Sequence, residues 1–129
     1  MKNILIAILA FSFLQISCNK ENDLTTTTFR VKIIKEICND AILQLVDSTS
    51  KANAEDGFVF EGRTYDNVFF TTFSCADKAK MQTLTSDLTG LVITVKLLQT
   101  PKEDPNCGSC RATVSSRPNK SNFIEVTGL

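Results

Sequence analysis

From Phe29 onward apolar and polar residues alternate: Phe29, Val31 and Ile33 fall on one side of an extended chain, Arg30 and Lys32 on the other. That period of two predicts a half-buried strand running to about Cys38. After Asn39-Asp40, Ala41 to Val46 make a second apolar run, closed by Asp47-Ser48-Thr49-Ser50 and the polar stretch through Asp56-Gly57. Phe58-Val59-Phe60 either continues that strand beyond a loop or stands alone. A turn near Gly62 leads into Tyr65 to Phe73, whose Val, Phe and Thr suit a pleated, partly buried surface.

The pattern then breaks. Cys75 to Leu84 contains Ala76, Asp77, Lys78, Ala79, Lys80, Met81 and Gln82, mostly good helix formers and none of them β-branched. Ser74 is placed to cap this helix, with Asp77 in its first turn. A segment so short needs a sheet to pack on. Gly90 opens the clearest strand, in which Leu91, Ile93, Val95 and Leu97 alternate with Val92, Thr94 and Lys96. The loop Thr100 to Gly108 holds Pro101 and Pro105. Two short strands are expected after it, at Arg111 to Ser115 and Asn122 to Thr127, separated by Arg117-Pro118-Asn119.

Strands, one helix between the third and fourth main strands, then strands again resembles the OB fold, a five-stranded barrel. The resemblance implies a mainly β domain over 29–129 with one short helix. An immunoglobulin-like β-sandwich is the alternative, disfavoured by the helix and by irregular strand spacing.

The N-terminus has a different character. Met1-Lys2-Asn3 precedes an apolar run from Ile4 to Leu14, interrupted by Gln15 well before the ~20 residues a membrane span requires. This reads as an export signal. Leu14-Gln15-Ile16-Ser17-Cys18 resembles the lipobox of bacterial lipoproteins, in which a small residue precedes a lipid-accepting cysteine; Gln15 stands where the commonest form has an aliphatic residue. With Asn19-Lys20-Glu21-Asn22-Asp23 after the cysteine, the segment is similar to Bacteroidota-type lipoproteins. That resemblance implies a signal peptide over 1–17, a lipidated Cys18, and attachment to the bacterial cell envelope, at the outer membrane and on a route to the cell surface. Several acyl chains, palmitate among them, give lasting attachment. Residues 18–28 then form a polar tether ending in Thr25-Thr26-Thr27-Thr28, spanning roughly 17 Å as a flexible coil.

Fourteen basic and fourteen acidic side chains cancel, and without residues 1–17 thirteen bases face fourteen acids. No nucleic-acid partner held by phosphate neutralisation is expected. The chain has no histidine, so a Ser-His-Asp or Cys-His unit, a histidine metal site and a histidine pH switch are all excluded. No catalytic residue, cofactor or metal is expected. The membrane, through the N-terminal lipid, and a protein or glycan are the partners the reading allows.

Besides Cys18 the chain has Cys38, Cys75, Cys107 and Cys110, an even number in a small exported domain and hence a disulfide framework. Three connectivities are open. Cys107 and Cys110 are close enough to pair with each other, as a C-x-x-C redox unit would. The favoured arrangement instead staples both to the strand ends holding Cys38 and Cys75, because each such bridge closes a long loop. A redox role for Cys107-Gly108-Ser109-Cys110 is the enzymatic alternative, weakened by the strand-like Arg111-Ala112-Thr113-Val114-Ser115 where thioredoxin-like pairs have a helix. A four-cysteine zinc site lacks a second C-x-x-C knuckle.

Two further groups invite a functional reading. Phe69, Phe70 and Phe73, with Arg63 and Lys96, would make a stacking platform for sugars or bases, although alternation assigns at least some of the rings to the core. Asp47, Glu55, Asp56, Glu61 and Asp66 would bind calcium or act as paired carboxylates, but no calcium-loop spacing joins them, and a solvated face is the expectation.

Overall fold

The computed structural model describes residues 27–47, 50, 52–108 and 110–129. The signal segment, Cys18 and the tether through Thr26 lie outside the described residues. The described residues form seven strands and one helix, in order: β1 (Thr28–Ile37), β2 (Asp40–Leu45), β3 (Phe58–Phe60), β4 (Arg63–Tyr65), β5 (Val68–Thr72), α1 (Cys75–Gln82), β6 (Val92–Leu98) and β7 (Phe123–Gly128). Five of the strands form one antiparallel sheet in the order β5-β2-β1-β6-β7, and β3 and β4 make a separate hairpin. The fold is thus mainly β with one short helix. The second large sheet of an immunoglobulin-like sandwich is absent among the described residues.

β1 is the central strand and pairs on both sides. Thr28–Lys32 run against β6, while Val31–Ile37 run against β2. Its register with β2 shifts between Ile33 and Lys35. The extra residue, Ile34, bends the strand and turns the following side chains over, as bulges do. Accordingly Phe29, Val31 and Ile33 join the main core, while Ile34 and Ile37 pack on the opposite face.

The main core gathers those residues with Ala41 and Leu43 of β2, Phe69 of β5, Ile93 and Val95 of β6, and Ile124 and Val126 of β7, closed by Phe73, Met81 of α1 and Leu88. Full burial of side chains of this size contributes roughly 1.5–3 kcal/mol each. The helix forms for the reasons read from its sequence: Ser74 caps it, its hydroxyl accepting from the Asp77 N–H at 3.1 Å.

The other face of β2 and β5 carries Ile42, Val68 and Phe70, and the β3–β4 hairpin lays Phe58, Phe60 and Tyr65 over it, joined by Val114. The hairpin turns through Glu61 and Gly62, both at positive φ (47° and 76°), the geometry of a type I′ turn. Its base is clipped by reciprocal bonds: Gly57 N–H donates to Asp66 Oδ1 and Asn67 N–H to Asp56 Oδ1, each at 2.8 Å.

Two expectations are corrected. The single strand foreseen from Tyr65 to Phe73 is divided, because Asn67 at a φ of 58° turns the chain between β4 and β5. Arg111 to Ser115 is not a strand. The outer edge of β5 is already taken: Glu55 exchanges backbone bonds with Val68, Phe70 N–H donates to the Lys120 carbonyl, and Asn122 N–H donates to the Phe70 carbonyl. Residues 111–115 therefore find no edge there, and Val114 is buried as a single plug. The same contacts set Phe70 in a parallel bridge with Ser121, just before β7.

Candidate functional site

The turn between β1 and β2 is secured by a disulfide and by hydrogen bonds from several elements. Ile37 pairs with Asp40, leaving Cys38 and Asn39 as the two turn residues. Cys38 sits at a φ of 60°, at the first central position, where hairpin turns with one positive φ ordinarily carry glycine. Its sulfur is bridged to Cys110, with α-carbons 5.9 Å apart. A second bridge, Cys75–Cys107, has α-carbons 5.4 Å apart, and both separations are ordinary for disulfides. The Asn39 side-chain amide donates to both sulfurs of that second bridge, at 3.3 Å to Cys75 and 3.1 Å to Cys107. Lys78 of α1 donates to the Cys38 carbonyl and pairs with Glu36. Asp40 accepts from Thr72 at 2.9 Å and from Thr113 at 2.6 Å.

The late loop is thus stapled to two earlier elements, the β1–β2 turn and the start of α1. Cys107 and Cys110 are bonded to different partners and not to each other. Cys75, rather than either member of the C-x-x-C, occupies the first residue of a helix. Cys75, Asp104 and Cys107 bring potential ligand atoms within 4.8 Å of one another, but both sulfurs are committed to their shared bridge.

A groove runs beside the stapled turn. One cavity of about 340 Å³ is lined by Phe70, Thr72, Arg117, Asn119, Ser121 and Phe123 among others. A second, of about 410 Å³, shares Thr72 and Phe123 with it and continues to Pro101, Lys102 and Cys107. Within the first, the Arg117 guanidinium lies over the Phe70 ring, 4.9 Å from its centroid. Phe123 leaves nearly half its surface exposed. The wall is rigid. Asn122 holds the backbone of Asn53 with a pair of hydrogen bonds, at 2.8 and 3.0 Å, and Lys120 N–H donates to Glu55.

The sequence-derived candidates separate clearly. Phe69 and Phe73 are core residues, 0% and 2% exposed; Phe70 lines the first cavity, Phe73 contributes to the wall of the second, and Phe69 lines neither. Lys96 is paired with Glu125 at 2.7 Å, and Arg63 is exposed in the β3–β4 hairpin. The acids do not assemble. Asp47 pairs with Arg30 at 3.0 Å, and Glu61 lies 3.8 Å from Lys35. Glu55, Asp56 and Asp66 accept backbone N–H groups, so each serves a local turn or contact. The Arg30 hydrogen bonds hold the Asp47 carboxyl below its usual range.

One charged cluster was not foreseen. Asp77, assigned from sequence only to the helix N-terminus, is fully buried. It accepts from Lys102 at 3.2 Å and from the Val126 N–H at 3.2 Å, with Lys80 3.6 Å away. Lys102 also donates to Glu125 at 3.1 Å. This chain of charges ties α1, the late loop, β6 and β7 together. Burial pulls the Lys102 ammonium down, but hydrogen bonds to Glu125 and Asp77 outweigh it and leave the group raised. Hydrogen bonds from Lys96, then Lys102, hold Glu125 below its ordinary value.

Comparison with family models, curated proteins and solved structures finds no match to this chain. Among the described residues no helix is long and apolar enough to cross a membrane.

Proposed function

We propose that the protein is a lipid-anchored lipoprotein of the bacterial cell envelope, attached to the outer membrane through Cys18, whose domain is a non-enzymatic binding or structural module. The observation that carries this reading is the pairing of all four domain cysteines into two bridges, spanning 72 and 32 residues. Such bridges persist in oxidising compartments beyond the cytoplasm, where the lipobox-like segment would deliver the chain. They also occupy every thiol in the domain, which favours a structural role for Cys107 and Cys110 over redox catalysis.

The domain reads best as an OB-like barrel. Sheet order β5-β2-β1-β6-β7, a helix between β5 and β6, and the parallel bridge from Phe70 of β5 to Ser121, in the segment before β7, favour it, with the sheet itself open between β5 and β7. The fold does not name a ligand. The groove beside Thr72 does favour binding, to a protein or a glycan, over a purely structural part.

Cell fractionation tests the anchor: the wild-type chain should sediment with outer membranes, and Cys18→Ala should be soluble or unprocessed. Wild-type protein in the soluble fraction would overturn it. An insulin-reduction assay with a dithiol donor should stay at background. Robust activity that disappears in Cys110→Ser would establish the thiol-disulfide enzyme instead.

A further inference from the structure

We infer that the cavity between Phe70 and Phe123 is a saccharide site selective for a carboxylate-bearing sugar, with Arg117 as the group that reads the charge. The inference rests on the binding-module reading and narrows it to a ligand class.

Among the described residues Lys32, Arg63, Arg111, Arg117 and Lys120 pair with no carboxylate, and of these five Arg117 is the one that lines this cavity. The guanidinium lies over the Phe70 ring, 4.9 Å from its centroid, and its N–H groups donate to no other group among the described residues. A planar fork held by an aromatic face is suited to bidentate recognition of a carboxylate, which lysine would not provide. Phe70 is thus a positioning residue for Arg117. The buried neighbour Pro118 and the Lys120–Phe70 backbone bond hold the segment in place before any ligand arrives.

The remaining wall sets the ligand class. Phe123 offers an exposed ring to the apolar C–H face of a sugar, and Thr72, Asn119 and Ser121 supply hydroxyl and amide groups for its hydroxyls. About 340 Å³ lies at the small end of ligand cavities, enough for a chain-end unit, and the adjoining cavity gives room for the next. Overall neutrality argues against a polyanion held by diffuse charge, so a single aimed cation is the discriminating element.

The test uses the full chain in detergent, with the methyl glycoside of galacturonic acid, which bears one carboxylate, and its uncharged methyl ester as probes, by calorimetry at fixed salt and by amide chemical shifts. The acid should bind at least tenfold more tightly than the ester, with shifts at residues 117–123. Arg117→Gln should bring the acid to the ester's affinity and leave the ester's unchanged, while Phe123→Ala weakens both. Equal affinities for acid and ester would overturn the charge selectivity and leave a saccharide site standing. No binding of either probe would overturn the saccharide site itself, and the membrane anchor would be untouched by either result. An unchanged thermal midpoint in Arg117→Gln shows that the variant is folded.

Discussion

The α-carbons of Cys38 and Cys110 stand 5.9 Å apart although 72 residues separate them, so the bridge ties the first hairpin turn to the loop that leads into the last strand. In the chain-entropy view, closing a loop of this length contributes about 4 kcal/mol. The Cys38→Ser, Cys110→Ser double variant should lose about that much of a total near 5–15 kcal/mol, read from urea unfolding. A loss below about 1 kcal/mol would show that the loop is held by Asp40, Thr113 and Val114 without the bridge.

Asp77 sits at the centre of the second fastening. Asp77→Ala removes the acceptor of the Val126 N–H and one partner of Lys102, and should cost about 3 kcal/mol. Adding Lys102→Met should recover part of that loss, because the ammonium no longer sits beside an emptied pocket. Strictly additive effects in the double-variant cycle would contradict the coupling.

Stability should fall at both ends of the pH scale, for opposite reasons. Glu125 is held below its ordinary 4.5 in the folded state, so its contribution is present above that value and drains as pH falls through the lower folded pKa. Lys102 is raised above 10.5, so its contribution is present below 10.5 and is lost as pH rises through the higher folded pKa. Unfolding midpoints measured across pH should show Glu125→Gln with a flatter acid limb than the parent. An unaltered acid limb would assign the loss to other carboxylates.

The strands legible from sequence were those with clean alternation or a strong cap. The strand from Phe29 to about Cys38, the run Ala41 to Val46, the Ser74-capped helix and the run to Leu97 all fall within a residue or two of where apolar pattern and propensity put them, because burial against the sheet decides such segments, β2 on both of its faces. Arg111 to Ser115 looked equally strand-like, yet a strand also needs an open edge, and that is a property of the assembled sheet. The groove was only partly legible for a similar reason. Phe70 stands out in the sequence as a candidate, but Arg117 and Phe123 lie 47 and 53 positions further on and meet it where the bridge at Ser121 brings the late segment to β5. Nothing in the local pattern separates Asp77 from a solvated helix acid; its burial follows from where Lys102 and β7 arrive.

The β3–β4 hairpin should depend on its turn. Gly62 at a φ of 76° adopts a backbone that costs an L-residue roughly 1–2 kcal/mol, so Gly62→Val should destabilise by about that amount. Amide exchange should quicken first across Phe58–Tyr65, which covers Ile42 and Val68. Uniform quickening throughout the sheet would mean that the hairpin is an integral part of the core and not a separable cover.

Mass spectrometry of protein purified from the cell envelope reads the anchor and the bridges in one measurement. The mature chain should begin at Cys18, heavier than its sequence by acyl groups on that residue, with Cys38, Cys75, Cys107 and Cys110 all resistant to alkylation until reduced. A chain that begins elsewhere, an unmodified Cys18, or two or more free thiols in the native domain would contradict the proposal.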